Sequence, residues 1–115
     1  MPLDIHAKNI GLNAIGAVAD GIAVHSADPG TGATAETSVS RPNPTFAAAS
    51  GGNLNLATAV QFTGAAPSAG ATWFTVWDGV NRLAKGQITS GDQAFNAEGV
   101  FNLTTDTKLE IVDPV

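Results

Sequence analysis

The sequence predicts a mainly β fold, an antiparallel β-sandwich or a jelly-roll-like barrel, with one N-terminal α-helix. Short segments rich in β-branched, aromatic and alternating apolar residues recur along the chain, with Gly-, Pro- and Asn-containing turns between them. Only residues 4–19 carry apolar side chains at the three- and four-residue intervals of a helix. Because the chain has 115 residues, we expect one domain, with a helical arm over 1–20 and a β-sandwich over 21–115.

The predicted helix over 4–19 begins at Asp4, whose carboxylate we expect to accept hydrogen bonds from the amides of the first turn. Gly11 and Gly16 weaken it, each by up to about 1 kcal/mol relative to Ala, and Asp20-Gly21 ends it. One apolar stripe, widened by Ile5, Leu12 and Ile15, consists of Leu3, Ala7, Ile10, Ala14 and Ala17. A helix this weak needs a surface to lie on.

Part of this apolar helix surface is the best candidate for docking onto a partner. The residues that we assign to the docking surface are Leu3, Ile10, Leu12 and Ile15. The alternative is that the same side chains pack only against the chain's own sheet.

The clearest strand pattern covers residues 53–62, where apolar residues of one parity alternate with polar residues of the other. The apolar set is Leu54, Leu56, Val60 and Phe62. A shorter alternating segment over 21–26 predicts another strand. Loops are expected at 28–32 and 64–70, and further short strands at 37–41, 45–49, 94–95, 100–103 and 108–112.

Residues 71–89 predict a β-hairpin that holds both tryptophans of the chain. Its turn lies at Asp78-Gly79-Val80-Asn81, where Gly79 and Asn81 tolerate positive φ. Trp73 and Trp77 have the same strand parity, so we expect them to project from one face. They are either core residues or a stacking platform for a carbohydrate. In the carbohydrate alternative, the polar contacts come from Asn55, Gln61 and Asp78.

The charge pattern argues against nucleic acid and membrane as partners. The formal net charge is −5, from ten acidic and five basic residues, and no run of Lys or Arg occurs. No segment has the roughly 20 apolar residues that a membrane span requires, and the N-terminus lacks the pattern of a signal peptide, so we expect synthesis in the cytoplasm. Charged residues are 13% of the chain, about half the usual roughly 25%. Such a surface is typical of proteins packed against copies or partners, and also of a plain acidic domain.

Chemistry-bearing residues are few, and we expect no enzyme activity, no cofactor and no metal. The chain has no Cys, no H-E-x-x-H motif and no G-x-S-x-G motif. His25, Asp20 and Asp28 are the one combination that could hold a metal ion. The alternative is that His25 is a surface or edge-strand histidine.

Several separate motifs together resemble a known family. They are the D-x-H-A-K-N start at Asp4–Asn9, the loop His25–Glu36, Arg41, the glycine break Gly51-Gly52 and the hairpin turn Trp77-Asp78-Gly79. In this order they resemble the small tail-fibre-type or minor structural proteins of tailed bacteriophages, particularly phages of actinobacteria. Two features depart from the pattern: Ser40 stands where the family often has an aromatic residue, and the glycine-rich turn is reduced to Gly79-Val80-Asn81.

The resemblance implies a non-enzymatic virion component, located on the capsid as decoration or on the tail as a minor or fibre protein. Its partners would be copies of itself, in a trimer, and other virion proteins such as the major capsid or tail proteins. A host-surface glycan is the further partner that the carbohydrate alternative implies.

Overall fold

The computed structural model describes residues 4–89 and 93–110. It confirms a mainly β, antiparallel fold with a single helix near the N-terminus. The elements are α1 (Ile5–Val18), β1 (Gly21–His25), β2 (Asn53–Asn55), β3 (Val60–Phe62), β4 (Trp73–Asp78), β5 (Asn81–Gln87), β6 (Phe101–Leu103) and β7 (Lys108–Glu110). The strands form one three-stranded sheet, ordered β1-β4-β5, and two ribbons, β2-β7 and β3-β6.

The helix α1 confirms the predicted position, but both of its ends differ from the prediction. Asp4 is the N-cap residue, yet its side chain makes no capping hydrogen bond. Instead its backbone carbonyl accepts a hydrogen bond from the Lys8 amide at 3.0 Å. The helix stops before Asp20-Gly21, because Ala19 already has an extended backbone while its amide still donates to the Ile15 carbonyl.

The hairpin of β4 and β5 forms two thirds of the central sheet, as predicted from residues 71–89. Gly79 has a φ of 60° in the turn, whereas Asn81 does not have positive φ and is the first residue of β5. The pairing of β1 with β4 aligns Ile22 with Val76 and His25 with Trp73. A bulge interrupts the β4–β5 register between Val76 and Trp77.

The sheet has an apolar inner face and a more polar outer face. The inner face contributes Ile22, Val24, Phe74 and Val76 to the hydrophobic core. The outer face, which alternates with it along each strand, carries His25, Trp73, Thr75 and Trp77. Both ribbons and α1 join the inner face in one core, through Leu12, Leu54, Leu56, Val60, Phe62, Phe101, Leu103 and Leu109.

The long strand predicted over 53–62 is wrong as one element, although its apolar parity is confirmed. Leu54, Leu56, Val60 and Phe62 are all buried, but β2 pairs with β7 while β3 pairs with β6. The segment bends at residues 57–58, after which the chain reaches a different partner strand.

Three other predicted strands do not form: two of the segments have one isolated bridge each, and 37–41 has none. Segments 37–41 and 45–49 flank Pro42 and Pro44, which have no amide hydrogen to donate to a ladder. Segment 45–49 has the bridge of Phe46 to Leu56, and the bridge of Glu36 to His25 lies just before segment 37–41. Segment 94–95 has only the bridge from Ala94 to Gly70. Of the predicted strand 108–112, residues 111 and 112 lie outside the described part of the chain.

Candidate functional site: the outer helix face and a buried polar network

One side of α1 is apolar and exposed, and we call it the outer helix face. It consists of Ala7, Ile10, Ala14, Ala17 and Val18, all of which are exposed. Ile10 retains 59% of its surface and Val18 retains 50%. These residues follow three- and four-residue spacing, so they lie on one side of the helix. Most of the stripe that the sequence predicts therefore faces away from the chain's own core.

The predicted docking surface combined residues from two different sides of α1. Leu12 is buried in the core and Ile15 packs against that core, whereas Ile10 belongs to the outer helix face. Side chains two residues apart on a helix are separated by a rotation of about 200° around its axis. Leu12 and Ile10 therefore point in nearly opposite directions. Leu12 is not available to a partner, which corrects the prediction for that residue. Leu3 lies outside the described residues.

A second feature is a buried polar network on the outer face of the central sheet. His25 and Thr75 are both fully buried. His25 Nε2 lies 2.8 Å from Thr75 Oγ1, and His25 Nδ1 lies 3.0 Å from the carbonyl oxygen of Thr34. Trp77 Nε1 donates to the same Thr75 Oγ1 at 2.7 Å. Of the two alternatives given for His25, surface or edge strand, the structure shows the second: His25 lies on an edge strand of the sheet and is buried.

An ion pair covers this network from outside. Arg41 donates two hydrogen bonds to Glu36, at 3.1 Å from Nε and 2.9 Å from Nη2. The guanidinium carbon of Arg41 lies 3.7 Å from the centre of the Trp77 ring, in cation–π geometry. The hydrogen bonds to Glu36 raise the pKa of Arg41. Arg41 therefore remains charged and stacked on Trp77.

This arrangement occupies the surface that a two-tryptophan sugar platform would need. Trp77 is only 7% exposed and lies beneath Arg41, while Trp73 is half-buried, with Lys85 Nζ 5.5 Å from its ring centre. Asn55 and Gln61, the expected polar contacts, lie on or beside the two ribbons rather than on the tryptophan sheet. Asp78 is exposed at the end of β4.

The candidate metal set is not assembled, because each member has another partner. Asp20 Oδ1 accepts a hydrogen bond from the Gly79 amide, and His25 is held by Thr34 and Thr75. Asp28 is paired with Lys85 at 2.7 Å, and that hydrogen bond lowers the pKa of the exposed Asp28 carboxyl. Within residues 4–89 and 93–110, no group of three His, Cys, Asp or Glu residues could hold a metal ion.

A cavity lies between α1, β5 and β7. It measures about 350 Å³ and is lined by Leu12, Ile15, Ala84, Lys85, Gly86, Lys108 and Leu109. Of the two lysines that line it, Lys85 is bonded through its ammonium group to Asp28. In the described part of the chain, α1 is too short to be a candidate for a membrane-crossing helix.

Comparison with known proteins adds no relative: no family model, no curated protein and no solved structure matches this chain.

Sequence reasoning missed Thr75, Glu36 and Arg41 as members of the polar network. One signal was present for Thr75, since it is the single hydroxyl residue inside an aromatic and β-branched strand. Arg41 and Glu36 gave no such signal, because the contact of Arg41 with Trp77 joins segments far apart in the sequence.

Proposed function

We propose that this chain is a non-enzymatic structural protein of a bacteriophage virion, which assembles on the particle surface as capsid decoration or as a minor tail or tail-fibre component. Its partners would be copies of itself and other virion proteins, such as the major capsid or tail proteins. The motif order at the sequence level supports the phage assignment. The exposed apolar side of α1 is the structural observation that supports assembly.

A helix that is apolar on two opposite sides is normally covered on both. The side of α1 that carries Leu12 and Ile15 packs against the core. The outer helix face remains exposed within the single chain. Scattered exposed apolar residues need no explanation, but Ile10, Val18 and three alanines lie together on one helix side. This side is the natural contact surface for assembly.

A second copy of the same chain is the occupant that the charges favour. The chain carries a net charge of −5, so most pairings of two copies bring like charges together. No residue of the outer helix face is charged, and two such faces meet without this repulsion. The alanines at 7, 14 and 17 also allow two helix backbones to approach closely.

The small size of this contact indicates that stable assembly requires several copies of it. A helix of 14 residues is about 21 Å long, and one side of it buries less than the roughly 800 Å² per partner of a standard stable interface. A single contact is therefore weak. In a trimer, the closed symmetric form that we propose, or in a virion lattice, repeated contacts add their affinities.

The direct experiment compares particles with and without this protein. We expect mass spectrometry to detect the chain in purified virions of the phage that encodes it, and cryo-electron microscopy of particles lacking it to show lost density on the shell or on the tail. The proposal is refuted if wild-type particles contain no peptide of this chain and if particles made without the gene show the same surface density as the wild type.

A pair of variants tests the contact surface separately. Ile10→Glu places a charge on the outer helix face, while Val80→Glu makes the same change at the hairpin tip, where Val80 is 89% exposed. We expect sedimentation equilibrium at high protein concentration to show weaker self-association for Ile10→Glu only. If both variants associate like the wild type, the outer helix face is not the contact, whether or not the chain is found in virions.

A further inference from the structure

Residues 26–36, which we call the strap, cross the outer face of the central sheet and are held there by side chains of that sheet. Arg82 Nη1 on β5 donates to the carbonyls of Gly30 and Gly32, at 2.8 and 2.9 Å. Lys85 pairs with Asp28. At the inner end of the strap, the ring of His25 reaches the Thr34 carbonyl.

The hydrogen-bond partners of His25 determine where its proton lies. A carbonyl oxygen only accepts hydrogen bonds, so Nδ1, which faces the Thr34 carbonyl, must carry the hydrogen. Trp77 Nε1 only donates, so it fills one lone pair of Thr75 Oγ1. The hydroxyl of Thr75 is then free to donate its hydrogen to Nε2 of His25. When the ring is neutral, both ring nitrogens of His25, the Thr75 hydroxyl and Trp77 Nε1 each have a hydrogen-bond partner.

A second proton on the ring disrupts this arrangement. Protonated Nε2 must donate to Thr75 Oγ1, which already accepts the Trp77 hydrogen bond. The Thr75 hydroxyl hydrogen then loses its acceptor in a fully buried site, and the ring carries a charge that burial disfavours. The protonated ring avoids both costs when it moves away from Thr75 into water. This movement also breaks its hydrogen bond to the Thr34 carbonyl.

We propose that His25 is an acid-sensitive latch, which holds the strap on the sheet when its ring is neutral and releases the strap when the ring is protonated. Three charged groups act on it: Glu36 at the end of the strap, Arg41 from the segment after it, and Arg82 from β5. Arg41 neutralises Glu36 through two hydrogen bonds, so the one attractive charge is largely compensated. Arg82 opposes a positive ring, and Lys85 is compensated by Asp28.

The direction of the pH effect follows from burial. Desolvation is the largest influence on His25, and it lowers the pKa of the ring below 6.5, against the opposing hydrogen bond to Thr34. In the released state the hydrated ring has its ordinary pKa of about 6.5. Strap closure is therefore fully favourable above pH 6.5, and it weakens as the pH falls from 6.5 toward the lower pKa of the closed state. Between pH 7.5 and 5.5 the opening constant rises by up to about tenfold.

Two measurements on the wild-type protein test the latch without depending on a variant that folds. Nitrogen-15 NMR of the imidazole should show the Nδ1–H tautomer for His25 at pH 7.5 and a titration below pH 6.5. Hydrogen exchange, corrected for the intrinsic rate, should show up to about tenfold lower protection at pH 5.5 for the amides of Ser26 and Thr37, which bond Ala35 and Val24. Amides of the β3–β6 ribbon should keep their protection.

The chain supplies a matched control, because its only other histidine is the exposed His6. We expect His6→Gln to retain the whole pH effect on the strap. The proposal is overturned if His25 titrates at or above pH 6.5, if it carries its proton on Nε2, or if His6→Gln abolishes the effect. Equal loss of protection in the strap and in the β3–β6 ribbon would also overturn it, because that pattern means global unfolding.

Discussion

Replacing Thr75 by Val tests whether its hydroxyl holds the outer face of the central sheet together. Val has nearly the same shape as Thr, but it can neither accept from Trp77 Nε1, now at 2.7 Å, nor donate to His25 Nε2, now at 2.8 Å. Each buried polar atom left without a partner costs about 1–3 kcal/mol. The methyl group that Val has in place of the hydroxyl recovers only part of this loss by apolar burial. We therefore expect the free energy of unfolding to fall by about 3 kcal/mol.

Thr75→Ser is the matched control, since it keeps the hydroxyl and removes one methyl group. Loss of one buried methyl costs about 1 kcal/mol, so this variant should be the more stable of the two. Urea unfolding followed by tryptophan fluorescence measures both, and Trp77 reports directly on the network. If Thr75→Val is as stable as Thr75→Ser or more so, the hydroxyl does not carry the two hydrogen bonds and the reasoning fails.

Two further pairs of substitutions test how the core and the helix are packed. Gly86→Ala should destabilise the chain by about 1–3 kcal/mol, because an added Cβ would lie 2.5 Å from Phe74 Cζ. Gly32→Ala, where no heavy atom lies within 4 Å of the added Cβ, should change the unfolding free energy by less than about 0.5 kcal/mol. Leu12→Ala should cost about 2–5 kcal/mol. Ile10→Ala in the same helix should cost under about 1 kcal/mol in the monomer, so equal losses in a urea titration would contradict the assignment of the two helix sides.

The local patterns of this sequence predict which side chains are buried better than they predict which strands pair. The parity of residues 53–62 identifies four core residues correctly, because burial on one face requires a period of two whatever the partner. What separates β2 from β3 is their partners: the amide of Leu56 still donates to Thr107 beside β7, whereas β3 pairs with β6. Those contacts join distant segments, and no local pattern records them.

The candidate site shows the same limit more strongly. Apolar spacing identifies the stripe on α1, but it does not tell which of two apolar sides meets the core, since Leu12 and Ile10 are equally hydrophobic. His25 is next to polar residues in the sequence and looks exposed there. Its ring is held by the Thr34 carbonyl and by Thr75 Oγ1, the second of which lies 50 residues away in the sequence.

The same fold that buries one side of α1 also fixes the position of the other. Asn13 Oδ1 accepts a hydrogen bond from the Ala49 amide at 2.8 Å, and Asn9 Oδ1 accepts one from Gly52 at 3.0 Å. These bonds anchor the flank of the helix to the turn before β2. An interface loses affinity when side chains and segments must be ordered on binding, but alanines have no rotamers to lose, and the backbone beneath them is already held. A small apolar face can therefore contribute to assembly when it is presented as rigidly as the outer helix face is here.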